Sequence, residues 1–199
     1  MEYYLLFTWQ VFKMKIILGS KSPRRKALLS ELGFSFETRV METDEDFPLT
    51  LPSEKVAEFI ANQKAIALID SLSEDEILIC ADTIVVIDQQ ILGKPENRDQ
   101  AIQMLQTLSG RSHKVITGVV VQSLNKKTVF SVTTEVHFQP LSAEMIHYYI
   151  DEYKPYDKAG SYGIQEWIGS VAVQKIEGSF NNVVGLPTLE LYNTLLSFQ

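Results

Sequence analysis

The sequence predicts an α/β fold in which a mixed, twisted β-sheet is flanked by helices. Three observations predict it. Strand-like apolar runs alternate with helix-like periodic segments along the chain, with only short breaks between them. Some neighbouring strands are joined by turns too short for a helical crossover, so hairpins accompany the βα units and the sheet is mixed rather than all parallel. The chain has 199 residues, 45% hydrophobic and 22% charged, a globular balance that lets about 70% of the unfolded surface be buried. Neither an internal repeat nor a linker interrupts it, so residues 14–199 are expected to form a single domain.

Each element has a local reason. Lys15 to Gly19 is a short apolar strand. Ser22-Pro23 opens a helix, with serine at the N-cap and proline at the first helical position. Leu28, Leu29 and Leu32 form its apolar stripe, and Gly33 suits its end. Phe34 to Val40 alternates like a strand, and the acidic, proline-containing stretch Glu42 to Pro52 reads as a loop. A second helix runs from Ser53 to Asp70, with Val56, Phe59, Ile60, Ala67 and Leu68 at helical spacing. Ile77 to Asp88 is the most apolar strand, turned by Gln89-Gln90 into a short hairpin that ends at Gly93-Lys94-Pro95. Asp99 to Leu108 is helical and stopped by Gly110. His113 to Leu124 and Thr128 to Gln139 make a hairpin about Asn125-Lys126. Ser142 caps a helix that ends before Pro155. Asp157 to Gln165 is a polar, glycine-containing loop, Val171 to Ile176 a strand, and Pro187 begins the last helix.

Charge and cysteine usage narrow the function. Lys+Arg number 18 against Asp+Glu 25, a net charge of −7. A nucleic-acid backbone needs a cationic footprint, so this balance argues against such a partner. A small anionic ligand needs only a local cluster of cations and stays open. Cys80 is the sole cysteine, so no disulfide forms within the chain, in keeping with a reducing cytoplasm. Tyr3 to Phe12 is apolar but far shorter than the ~20 residues that span a bilayer. It lacks the cationic start and small-residue cleavage site of a signal peptide, so no membrane partner is expected. Met14 opens the more ordinary start MKIILGS, and residues 1–13 read as an extension outside the domain or a product of an upstream start.

Four places break the local rules. In GSKSPRRKALL, Arg24 and Arg25 fall in the first turn of a helix, where the macrodipole already presents positive charge. A solvated basic turn tolerates the small cost. An anion reverses its sign, because free N–H groups, serines and guanidiniums then converge on a phosphate chain. Asp82 in Ala81-Asp82-Thr83 sits inside an otherwise apolar strand. There a carboxylate must be paired, hydrogen-bonded or metal-bound, as a bulge residue or as a proton acceptor or metal ligand. Lys64 and Lys94 stand at element ends, and Asp44 and Glu45 offer carboxylates from the acidic loop, although such residues commonly form a solvated surface. Finally, Asp157-Lys158-Ala159-Gly160-Ser161-Tyr162-Gly163-Ile164-Gln165 suits either an irregular surface loop or one that closes over a ligand. The amide of Gln165 both donates and accepts, which matches an imide edge such as uracil or thymine. His113, His137 and His147 lack metal-ligand spacing, and no Ser/His/Asp nucleophile arrangement is legible.

Taken together, GSKSPRR, Asp44-Glu45, QKA at 63–65, ADT at 81–83, GKP at 93–95, LSGRSH at 108–113, DKAGSYGIQ at 157–165 and GLP at 185–187 resemble the Maf family of nucleoside triphosphate pyrophosphatases. DKAGSYGIQ is similar to the dTTP/UTP-hydrolysing subgroup. The chain departs from the family pattern at Glu166-Trp167, where many members carry glycine after the glutamine. The resemblance implies a Maf and inosine-triphosphatase-like fold of two lobes with a nucleotide cleft between them. It also implies metal-assisted attack of water on the α-phosphorus, releasing pyrophosphate, with Mg²⁺ or Mn²⁺ as the cofactor. Carried over by position, Asp82 is the base or metal organiser, helped by Lys64 and Lys94. Ser20 and Arg25 hold the triphosphate with the same lysines, Arg24, Thr83 and Gln165 match specificity positions, Lys158 completes the substrate set, and Glu45 assists the metal. A homodimer and a link to arrest of cell division are further family-level expectations. The alternatives are a nucleotide-binding regulator of septum formation with little hydrolysis, or a purine-selective pyrophosphatase.

Overall fold

The computed structural model describes residues 15–198; the expected extension at 1–13 lies outside the described residues. In chain order the elements are β1 (Lys15–Leu18), α1 (Pro23–Glu31), β2 (Phe36–Thr38), α2 (Ser53–Leu68), β3 (Glu76–Ile87), β4 (Gln90–Leu92), α3 (Arg98–Leu108) and β5 (Ser112–Gln122). They continue with β6 (Lys127–Phe138), α4 (Ala143–Tyr153), α5 (Trp167–Ala172), β7 (Val173–Glu177), α6 (Phe180–Val184) and α7 (Thr188–Leu196). One seven-stranded sheet runs in the order β2-β1-β3-β5-β6-β7, with β4 beside the far end of β3. β1 is parallel to β2 and β3, whereas β3, β4, β5, β6 and β7 pair antiparallel. The sheet is mixed, as the hairpin pattern requires.

β3 is the spine, because it is buried along nearly its whole length. Its even-numbered residues Leu78, Cys80, Ile84 and Val86 pack on the apolar side of α2 through Val56, Ile60, Ala61, Ala65 and Leu68. Its odd-numbered residues Ile77, Ile79, Ala81 and Val85 join Leu29 of α1, Leu105 of α3, Tyr149 of α4 and Leu191 of α7 in the larger core. A sheet covered on both faces explains why this strand reads as a continuous apolar run.

The structure corrects several boundaries. The 34–40 strand shrinks to Phe36–Thr38 at the sheet edge. The β3–β4 turn is Asp88-Gln89, both in the left-handed region at φ 50 and 67, one residue ahead of the expected Gln89-Gln90. The strand expected from Val171 starts at Val173, because Trp167–Ala172 forms the short helix α5. Its first turn presses so closely on Ile164 that a Cβ at Gly169 would lie 1.8 Å from that carbonyl oxygen. Six residues carry too little periodicity to be seen as a helix, and the same holds for the five of α6.

Candidate active site

The site sits where the sheet is incomplete. β1 pairs with β3 only as far as Ile79, and β4 pairs from Val85 onward. Between these points, among the described residues, no strand pairs with β3 on that edge. Side chains alternate along a strand, so Asp82 and Thr83 leave β3 on opposite faces of the sheet. The gap lets both reach one cleft of about 800 Å³. Ser20, Arg24, Arg25, Asp44, Glu45, Lys64, Asp82, Thr83, Lys94, Lys158 and Gln165 all line this cleft. The structure thus gathers in one cleft every residue carried over as a candidate site residue, while Glu166, Trp167 and the three histidines lie outside its lining.

On the Asp82 face the groups are charged. Asp82 is 8% exposed, and its Oδ1 accepts a hydrogen bond from Lys64 Nζ at 2.7 Å. Lys64 also donates to Glu45 Oε1 at 2.8 Å, and Lys94 lies 3.4 Å from Glu45 Oε2. Burial works to raise the Glu45 pKa, but the two lysines more than reverse it, leaving it below the ordinary carboxylate value. Lys64 reaches Asp82 because Gly118 faces Asp82 across the β3–β5 ladder. A Cβ there would come within 2.3 Å of the α2 backbone at Ala57 and Glu58, so glycine sets how closely that helix approaches. Among the described residues no three His, Cys, Asp or Glu side chains cluster as a metal cage. Of the carboxylates that line the cleft, Asp82 and Glu45 share Lys64 and so lie close together as hard oxygen ligands.

On the Thr83 face the groups are mostly hydrogen-bonded to one another. Ser22 caps α1 by accepting from the Arg25 N–H. The Arg25 guanidinium donates to Gly185 O at 2.8 Å, Thr83 Oγ1 at 3.0 Å and Ser20 Oγ at 3.3 Å. Burial lowers the Arg25 pKa, and the nearby Asp82 carboxylate works against that. Arg24 donates to Asp157 Oδ2 at 2.8 Å, and Lys158 donates to Asp157 Oδ1 at 2.7 Å.

The 157–165 segment is packed rather than a loose surface loop. Gly160, Ser161, Tyr162, Gly163 and Ile164 are buried, and Gly160 N donates to Gly93 O beside Lys94. Tyr162 bonds His113 at 2.8 Å with its ring edge-on to Phe138. Glu166 does not line the cleft. Its carboxylate takes Lys158 at 2.9 Å and the hydroxyl of Tyr149, which itself accepts from Gly163 N. Trp167 packs edge-on against Tyr148. The pair that departs from the family pattern is therefore an anchor behind the cleft.

Sequence reasoning missed several partners. Gly185 contributes a carbonyl, Asp157 a counter-charge, and Thr117 and Asn182 lie behind Thr83. Gly185 and Asp157 stand in the quoted GLP and DKAGSYGIQ stretches without a role of their own there, whereas Thr117 and Asn182 are brought in by register alone and no local spacing signals them. A serine–histidine–acid line also exists: Ser112 Oγ is 2.6 Å from His137 Nδ1, and His137 Nε2 is 2.9 Å from Glu177 Oε1. It was invisible because three strands supply it. None of the three lines the cleft, and Glu177 also pairs with Lys175.

A cation-lined cleft with a buried carboxylate, set in a gap of a mixed sheet, defines the class as one that handles phosphorylated small molecules. The sequence matches the family described as Maf-like protein over residues 15–198, and the chain belongs to it. It is 52% identical over 189 residues to the dTTP/UTP pyrophosphatase of Porphyromonas gingivalis, covering 94% of this chain and 95% of that one. A dTTP/UTP pyrophosphatase of Phocaeicola vulgatus is 52% identical over 184 residues, covering 92% and 95%. That of Flavobacterium psychrophilum is 48% identical over 183 residues, covering 92% and 94%. Among solved structures, a HAM1 protein from Coxiella burnetii is 17% identical with a TM-score of 0.45, covering 94% of this chain and 100% of that chain.

Proposed function

We propose that this protein hydrolyses dTTP and UTP to the nucleoside monophosphate and pyrophosphate, by attack of water on the α-phosphorus. The observation that carries the reading is Asp82, a nearly buried carboxylate fixed by Lys64 in a cleft whose opposite face presents Arg24, Thr83 and Gln165. The relatives named above support the choice of base. Lys64 holds one oxygen of Asp82, and the other takes the proton of the attacking water. Lys64, Lys94, Arg25 and Ser20 bind and orient the triphosphate, since phosphoryl transfer is largely positioning and charge neutralisation. Arg24 and Lys158 are both paired to Asp157, so an incoming phosphate competes with that carboxylate for them. Gln165 reads the imide edge of the base.

Asp82 and Glu45 suit Mg²⁺ or Mn²⁺, hard ions that take one or two carboxylates and complete their shell with water and phosphate oxygens. Such an ion would supply charge neutralisation on the triphosphate. We further propose that residues 14–199 act as one domain, that residues 1–13 are dispensable, and that the protein works in the cytoplasm as a homodimer. Among the described residues no helix is long and apolar enough to cross a membrane.

The test is pyrophosphate release from a panel of pyrimidine and purine triphosphates, with and without Mg²⁺ or Mn²⁺, for wild type and Asp82→Asn. Metal-dependent cleavage of dTTP and UTP is expected, with kcat lowered by on the order of 10²–10⁴ in the variant. Variant activity within a few-fold of wild type removes Asp82 from the role. Purine cleavage alone overturns the substrate, and nucleotide binding without turnover favours the regulator.

A further inference from the structure

Behind Thr83 runs a chain of hydrogen bonds that the chemistry above does not use. Arg25 donates to Thr83 Oγ1 at 3.0 Å. Thr83 Oγ1 lies 2.9 Å from Thr117 Oγ1, and Thr117 Oγ1 donates to the Asn182 carbonyl at 3.0 Å. Thr117 and Asn182 are both fully buried, with 0% exposure. The Asn182 side chain is in turn fixed by its amide donating to Val115 O at 3.1 Å and Thr134 Oγ1 at 2.9 Å.

The two ends of the chain fix its direction. A guanidinium only donates and a carbonyl only accepts. Thr117 has one hydroxyl proton, and the Asn182 carbonyl takes it, so Thr117 can only accept from Thr83. The proton of Thr83 therefore points into the sheet. Of the two acceptor positions on Thr83 Oγ1, Arg25 fills one. The other is left for the cleft, which Thr83 lines. Reversing the chain would forfeit the buried bond to Asn182.

We propose that Thr117 is a positioning residue that makes Thr83 a one-way hydrogen-bond acceptor, so that the cleft selects a nucleotide group that donates. This rests on the pyrimidine nucleotide reading above. The imide N–H of uracil and thymine is such a group, and cytosine carries an acceptor at the same ring position. A sugar hydroxyl is the other donor that a nucleotide offers. Thr117→Val keeps the shape but removes the acceptor, which frees the Thr83 proton to turn into the cleft. Thr117→Ser keeps the chain intact.

The experiment measures dissociation constants of UTP, CTP and 3′-deoxyuridine triphosphate without divalent metal, for wild type, Thr117→Val and Thr117→Ser, with melting temperatures alongside. Thr117→Val is expected to lower the preference for UTP over CTP by about tenfold, the equivalent of ~1.4 kcal/mol, and Thr117→Ser to retain it. A drop confined to the 3′-deoxy comparison supports the same polarity and assigns the donor to the sugar. Both ratios within about twofold of wild type in a folded Thr117→Val protein overturn the proposal. Should that variant not fold, Thr83→Val must abolish the same preference, and an unchanged ratio overturns it equally. Pyrophosphate release is measured in parallel. A shifted binding ratio without turnover discards the hydrolase reading alone, and failure of wild type to bind any pyrimidine nucleotide discards both.

Discussion

At the cleft mouth, Asp157 holds two cations, Arg24 and Lys158, through separate oxygens. Burial works to raise its pKa, but the two cations outweigh it and bring the carboxyl down to about 2. It therefore stays charged at any working pH, and under the proposed function an incoming phosphate would compete electrostatically with this carboxylate for Arg24 and Lys158. Gln165 is exposed within the same cleft. Gln165→Ala should narrow the kcat/KM advantage of UTP over purine triphosphates by about 3- to 10-fold, the loss of one or two hydrogen bonds. Steady-state kinetics on the two substrates checks this, and an unaltered ratio means the base is read elsewhere.

Two elements position the residues of the proposed chemistry. Helix α2 carries Lys64 to Asp82, and Gly118 sets its height over the sheet. Gly118→Ala should destabilise the fold by about 1–3 kcal/mol, as overpacking does, and lower kcat by lifting Lys64 away from Asp82. A thermal melt read beside turnover checks both parts. The second element is the 157–165 segment, tied down by Glu166 through Lys158 and Tyr149. Glu166→Ala should raise the KM for UTP by about tenfold, equivalent to ~1.4 kcal/mol, with a smaller change in kcat. Glu166→Gln should recover part of the loss through Tyr149. A KM unchanged in Glu166→Ala would mean that Tyr162 and His113 suffice to hold the segment.

At the scale of the molecule, His113 links the sheet to that segment and to the core. Burial, with the charge of nearby His137 adding to it, pushes the His113 pKa down to about 4 from 6.5. The folded protein keeps this imidazole neutral, whereas the unfolded chain binds a proton below about 6.5. Its contribution to stability is complete above pH 6.5 and is lost as pH falls toward 4, on the order of 3 kcal/mol. Melting temperatures should fall between pH 7 and about 4.5, and His113→Gln should flatten that limb. The depressed carboxyls of Asp157 and Glu45 lose their contributions only in more acidic solution. An unchanged slope in the variant would assign the acid sensitivity to other groups.

The alternation of elements and the mixed sheet are legible in the amino-acid sequence alone, and so are the oddly placed charges that single out Arg24, Arg25 and Asp82. Each of these is written locally, in the Ser22-Pro23 cap, the period of α2, the apolar run of β3 and the misplaced charges at Arg24, Arg25 and Asp82. Such signals are legible because a buried carboxylate or a cation at a helix start violates a rule within a few residues. Tertiary structure alone decided which face each residue serves. The gap between β1 and β4, the approach of α2 over Gly118, the anchoring of Glu166 and the Arg25–Thr83–Thr117–Asn182 chain depend on strand register and packing. Residues 25, 83, 117 and 182 meet only once the sheet has formed, and no spacing along the chain encodes their contact.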